Sequence, residues 1–179
     1  MQYKDVLDFW FNELEVKDWF AKNLDLDEQI RQRFGKLHQS AVQCELYSWR
    51  EMPEGRLAEI IVLDQFSRNL YRDSAKAFAA DALALALAQQ AVQLGEDNNL
   101  TSEQKSFLYM PYMHSESLLV HEQGRILFEH AGLTSNLEFH DKHTAIIKRF
   151  GRYPHRNSVL GRDSTAEEKD FLTQPGSSF

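Results

Sequence analysis

Cysteine occurs once, at Cys44, so no internal disulfide can brace this chain. Proline appears four times and glycine eight times in 179 residues. That scarcity, beside abundant Ala, Leu, Gln and Glu, favours helix over turn-rich β architectures. No segment alternates convincingly with period two, so strands are not expected. Long apolar runs are missing too. The longest, AFAADALALALAQQAV, is broken by Asp81 and two glutamines and reads as a core helix, not a membrane span. Positive charge is in deficit, with 20 Lys and Arg against 27 Asp and Glu, a formal net charge of -7. A general nucleic-acid surface or anionic-membrane surface is therefore not expected. The first residues, MQYKDVLDFWF, carry Asp5 and Asp8 and no cleavage-site pattern. They do not read as a signal peptide, and a cytoplasmic protein is the expectation.

What is present is organised around Arg56 to Arg72, RLAEIIVLDQFSRNLYR. At about 100° per residue its apolar side chains leave no wet face. Leu57, Ile60, Ile61, Val62, Leu63, Phe66, Leu70 and Tyr71 point nearly all round. Such a helix belongs in the middle of others. Yet Asp64, Arg68 and Arg72 recur at i, i+4 and i+8, on the same side as Leu57 and Ile61. Buried charges are costly unless paired and hydrogen-bonded. The stripe is therefore either an internal ion network or one wall of a ligand cleft.

Other helices follow from apolar spacing and caps. Tyr3 to Glu13 is an aromatic-rich helix that should dock in a groove, with a short helical turn at Trp19 and Phe20. Asp25 and Glu28 suggest a capping box for a helix carrying Ile30, Phe34, Leu37, Ala41 and Cys44 on one face, with His38 at its margin. Pro53 suits the first turn of the central helix. Ala77 to Leu94 ends at Gly95. Thr101 with Gln104, and Thr165 with Glu168, are further capping boxes. Tyr112 to His130 is helical by composition, weakened by Gly124, and Asn136 caps a helix from Leu137 to Phe150. The tail TQPGSSF should fray. The expectation is one all-α domain, residues 1–179, of about eight packed helices with short loops.

Two pieces carry unusual polar chemistry. One is FLYMPYMHSE, with His114 and Glu116. The other is Arg149 to Arg162, RFGRYPHRNSVLGR. Lys148 to Arg162 holds five Lys or Arg, one His and no acid, a local excess in an acidic chain. Arginine suits forked recognition of phosphate or carboxylate. Arg149, Arg152, His155, Arg156 and Asn157, with Asp64, Arg68, Asn69, Arg72, His114 and Glu116, are the candidate ligand-binding residues. The competing reading pairs these arginines with Asp64, Asp81 and Glu116 as internal clasps.

Enzyme signatures are sparse. GxSxG, P-loop and GxGxxG motifs do not occur. His121-Glu122 opens like a zincin helix, but Arg125 stands where the second histidine belongs. His140 and His143 have a spacing that His114 and Glu116 could complete as a metal set, but two histidines on a surface helix are commoner, and no metal or other cofactor is expected. Cys44 reads as an inert small hydrophobe. Ser67, Ser115 and Ser164 show no base or orienting acid.

LDQFSRNLYR with AFAAD, then FLYMPYMHSE, then RFGRYPHRNSVLGR with STAEE, and the N-terminal VLDFWF and WF pair, resemble an uncharacterised bacterial family, domain-of-unknown-function family 924. The resemblance covers essentially the whole chain. It implies an all-helical fold related to tetratricopeptide-like helical-hairpin arrays, and no established activity. The functional expectation is a binding module whose basic pocket takes an anionic small molecule or an acidic peptide end. One alternative is a hydrolase-like or phosphoryl-handling enzyme with His114 or His155 as acid–base. The other is a scaffold held by a purely structural Arg–Asp network.

Overall fold

Every regular element in the computed structural model, which describes residues 1–178, is helical. The chain divides into two compact units. The first comprises Met1–Arg72 and Lys76–Pro111, the second Asp73–Ala75 with the chain from Tyr112 onward.

In the first unit, helix α1 (Tyr3–Asp8) widens into a π turn at Phe9–Glu13. Helices α2 (Val16–Phe20) and α3 (Leu24–Val42) follow. The cap of α3 is Asn23, whose side chain accepts from the amides of Asp25 and Leu26, rather than Asp25 itself. Helix α3 also stops before Cys44, which takes φ +59° and is exposed. The expected apolar packing of that thiol is thus corrected: the residue turns the chain out of the helix.

The central helix starts with Pro53 in its first turn, as expected. It runs as α4 (Pro53–Ile61), a π turn (Val62–Phe66) and α5 (Ser67–Leu70). Leu57, Ile60, Ile61, Val62, Leu63 and Phe66 have no exposed surface. Phe9, Phe34 and Phe66 pack ring against ring at 4.9–6.1 Å, and Trp10 meets Phe107 at 5.5 Å. Gly55 permits a close backbone approach, because a Cβ there would lie 2.2 Å from the Trp49 carbonyl oxygen. Trp49 belongs to the 3-10 segment Tyr47–Glu51 laid beside α4.

Helix α6 covers Asp81–Gln93, so Asp81 opens the helix rather than interrupting it. A separate 3-10 turn at Ala75–Phe78 takes the residues expected to begin it. Helix α7 (Ser102–His114) carries Pro111 inside it, and the Thr101–Gln104 capping box is formed by both hydrogen bonds.

The chain restarts at Ser117, and the second unit contains α8 (Leu118–His130), α9 (Thr134–Phe150) and α10 (Ala166–Leu172). Helix α9 begins three residues before Leu137. Helices α8 and α9 form a packed hairpin. Gly124 is its contact point, since a Cβ there would come within 2.8 Å of Tyr112 Cβ and 3.0 Å of His140 Cε1. The glycine expected to weaken this helix is what lets α9 seat its histidine. Ile146, Ile147 and Tyr153 form the apolar core here, flanked by Phe150 and Phe171. Thr165 and Glu168 complete the expected capping box. The tail is not frayed as expected through Ser177, which is buried and donates to the Leu172 carbonyl. Phe179 lies outside the described residues.

Candidate functional site

The candidate residues fall into one set in each unit. In the first, the π turn places Asp64 in the core, 1% exposed. Gln65 donates to its carboxylate at 2.6 Å, and Arg68 Nη1 lies 3.1 Å from Oδ1. Arg68 then reaches Asp81 with both terminal nitrogens, at 2.9 and 3.1 Å. This is the pairing the clasp reading names.

Arg72 does not share that face. Regular helix ends at Leu70, and Tyr71 leaves it with φ -131° and ψ 36°. The i, i+8 register therefore fails, and Arg72 turns toward α3. There its guanidinium grips both oxygens of Asp27, while Asn69 donates to Asp27 Oδ1 at 2.8 Å. Asp27 is a partner that sequence reasoning missed. The signal was available: Asp27 stands three and seven residues before Ile30 and Phe34, on their apolar stripe, and it is 5% exposed. Arg50 with the fully buried Glu59, and Arg56 with Glu96 and Gln90, repeat the arrangement elsewhere in the unit.

The same unit contains a serine–histidine pair that the sequence did not reveal. His38 Nε2 lies 2.7 Å from Ser67 Oγ, and the hydroxyl donates to the Leu63 carbonyl at 2.5 Å. His38 therefore donates to the serine oxygen instead of activating it. Burial lowers the pKa of His38, Ser67 has no exposed surface, and His38 Nδ1 has no hydrogen-bond partner among the described residues. The pair is a core hydrogen bond, not an assembled nucleophile and base.

In the second unit, Glu116 is the hub of the basic turn. It accepts the Tyr153 amide at 2.8 Å and both terminal nitrogens of Arg162 at 2.6 and 2.9 Å. Burial alone would raise its pKa. Arg162, the Tyr153 amide and the nearby charge of Arg156 outweigh that and lower it. Arg162 was within the basic stretch but outside the expected site residues. Asn157, fully buried, accepts from Arg162 Nε at 3.0 Å and donates to Ser164 Oγ at 3.1 Å. Arg152 holds Glu168 with two bonds, 2.6 and 2.8 Å, and donates to the Asp163 carbonyl. That contact presses the Glu168 pKa down to about 2. Glu168 is both the capping-box residue expected from the sequence and the counter-ion of Arg152. Arg149 meets Glu167 at 2.8 Å on the exposed face. Arg156 is buried with its guanidinium 4.5 Å above the Tyr153 ring, and the His155 ring lies 5.5 Å from the same ring. His114 closes α7, half-buried.

His140 and His143 are not on a wet face, as two surface histidines would be; they are 0% and 7% exposed. His140 Nε2 donates to the His121 carbonyl at 2.8 Å and His143 Nδ1 to the Phe139 carbonyl at 2.7 Å. Among the described residues, no three His, Cys, Asp or Glu side chains are grouped so as to hold a metal ion. No helix among them is long and apolar enough to cross a membrane.

Comparison with known proteins adds two matches. A solved structure of a protein of unknown function, ATU0120 from Agrobacterium tumefaciens, is 35% identical with a TM-score of 0.90, covering 95% of this chain and 96% of that one. No curated protein matches the chain. The family model described as bacterial protein of unknown function, DUF924, matches residues 6–176. This chain belongs to the DUF924 family.

Proposed function

We propose that this protein is a helical scaffold whose arginine–carboxylate pairs are structural clasps and whose dealings with other molecules fall to its outer surface. One observation carries the reading. Arg68, Arg72, Arg149, Arg152 and Arg162 each meet a carboxylate of their own unit. Four of those carboxylates, on Asp27, Asp81, Glu116 and Glu168, are buried or half-buried. A guanidinium already held by a carboxylate gains little from a second anion, because the bound carboxylate must first be displaced and resolvated. The α8–α9 hairpin supports a likeness to helical-hairpin arrays within the same proposal. Exposed apolar side chains such as Phe20, Tyr47, Leu119 and Phe139 provide surface for contacts.

A second reading is a turn that binds an anionic small molecule or an acidic peptide end. It rests on the cation density of residues 148–162, five Lys or Arg and a histidine without an acid. Thermal unfolding against phosphate, sulfate and small carboxylates at matched ionic strength separates the two. The scaffold reading expects the same small response from wild type and from Arg152→Ala/Arg156→Ala. A rise specific to one anion, present in wild type and lost in the double variant, would replace it with the binding turn.

A further inference from the structure

Six of the seven histidines lie in the second unit, and three of them are buried there. His121 and His140, both 0% exposed, stack with ring centroids 4.9 Å apart across the α8–α9 hairpin. His143 lies 5.8 Å from the Tyr153 ring, and Tyr153 lies 6.3 Å from His121.

The hydrogen bonds fix where the protons are. His121 Nε2 lies 2.8 Å from the Ser115 carbonyl, so that nitrogen carries hydrogen. The Tyr153 hydroxyl is 3.2 Å from the same nitrogen and spends its own proton on the Met113 carbonyl at 2.5 Å. On the other side, His121 Nδ1 is 2.9 Å from Thr144 Oγ1. The Thr144 hydroxyl is also 2.8 Å from the His140 carbonyl, so its single proton serves one of the two. His140 donates through Nε2, and its Nδ1 is buried with no hydrogen-bond partner among the described residues. A proton added to that Nδ1 would make a buried, unmatched N–H on a cation stacked against a second imidazole.

Few charges nearby can compensate. Asp141 favours the His140 cation and Arg125 opposes it, and these two pair at 3.3 Å. His140, His114 and Arg156 oppose a cation at His121. His114, His121 and His140 oppose one at His143. Tyr153 faces the cluster as a neutral hydroxyl. His140 Cε1 fills the space above Gly124, so the ring is seated directly on the α8 backbone.

We propose that the stacked His121–His140 pair is an acid-sensitive latch: proton uptake parts the α8–α9 hairpin of the second unit while the first unit stays folded. Burial supports this by pressing His121 down to about 4, His143 to about 3, and His140 in the same direction. The sign follows. With folded values below the ordinary 6.5, the opened hairpin binds more protons than the closed one, so closure is fully favoured above about pH 6.5 and weakens as pH falls toward 4. Each such histidine changes the opening equilibrium by up to about tenfold per pH unit, and two together by up to about a hundredfold.

All three tryptophans, Trp10, Trp19 and Trp49, belong to the first unit, so their emission reports that unit alone. The test is hydrogen exchange by mass spectrometry on the full chain from pH 7 to pH 4.5, corrected for intrinsic rates, with tryptophan emission in parallel. Amides of residues 118–150 should lose protection below about pH 6 while the emission is unchanged. His140→Gln should move that loss to lower pH, whereas His130→Gln, at the exposed C-terminal end of α8, should not. Should His140→Gln fail to fold, NMR titration of the wild-type imidazoles decides. His121 and His140 remaining neutral below pH 5.5 supports the latch. Titration of both near 6.5 in the folded protein, loss of both units at one pH, or a folded His140→Gln opening at the wild-type pH would overturn it.

Discussion

Arg50→Met should cost far more than Glu59→Gln, although both cut the same ion pair. Arg50 grips Glu59 with Nε and Nη2, each at 2.7 Å. The Glu59 side chain is 0% exposed and the Arg50 side chain 24% exposed. Removing the arginine strands a carboxylate where water cannot reach it, at a cost of about 3–5 kcal/mol. Methionine keeps the apolar stem, so little of that cost is lost packing. Removing the acid leaves a guanidinium that already touches solvent and retains an amide oxygen to donate to. That should cost only about 1–2 kcal/mol. Arg50→Met/Glu59→Leu, with no charge left to strand, should recover most of the loss. Urea unfolding followed by tryptophan emission suits the measurement, because Trp49 sits beside Arg50. The midpoint should shift with the slope unchanged. Equal costs for the two single variants, or Arg50→Met within a few tenths of a kcal/mol of wild type, would show that the buried Glu59 carboxylate does not depend on Arg50.

Four further outcomes follow from the same physics. Arg68→Met should destabilise by about 3–5 kcal/mol, and Asp64→Ala/Arg68→Met by less than the sum of its parts, because Asp64 is no longer left buried alone; equilibrium unfolding of the three variants reads this directly. Gly124→Ala would stabilise an ordinary helix by about 1 kcal/mol. Here it should destabilise by about 1–3 kcal/mol, because the methyl meets Tyr112 and His140, and a raised melting temperature would contradict the packing. Deleting residues 1–15 removes Phe9 and Trp10 from the core, so the shortened chain should lose its cooperative thermal transition. Arg152 holds the Glu168 pKa near 2, so that clasp contributes fully above about pH 4.5 and is lost only as pH falls through 2. In Arg152→Ala the Glu168 carboxyl should titrate well above 2 by carbon-13 NMR.

Much of the fold was legible because its signals are local. The all-round apolar character of residues 57–66, the Thr101 and Thr165 capping boxes, and the helix ends at Gly95 and Gly151 need no knowledge of neighbours. The failures came where distant residues decide. A π turn at Val62–Phe66 and the end of helix at Leu70 rotate Arg72 away from Asp64, and a fixed 100° period cannot register either. Gly124 looked like a weak point because its role belongs to Tyr112 and His140. The arginines were readable as charges but not by partner: Asp27, Glu59 and Glu168 lie between 9 and 45 residues from the guanidinium each one holds. His38 and Ser67 are 29 residues apart and gave no sequence sign of meeting.

In the scaffold reading the arginines of the basic turn are occupied by the protein itself. The most direct measurement of that occupancy is the Nε–H NMR resonances of Arg152 and Arg162 during titration with inorganic phosphate at constant ionic strength. Bonded to Glu168 and Asn157, both protons should stay slowly exchanging and unshifted into the tens of millimolar. A saturable shift of either resonance at sub-millimolar phosphate, abolished by Arg156→Ala, would show a binding site in place of the clasp.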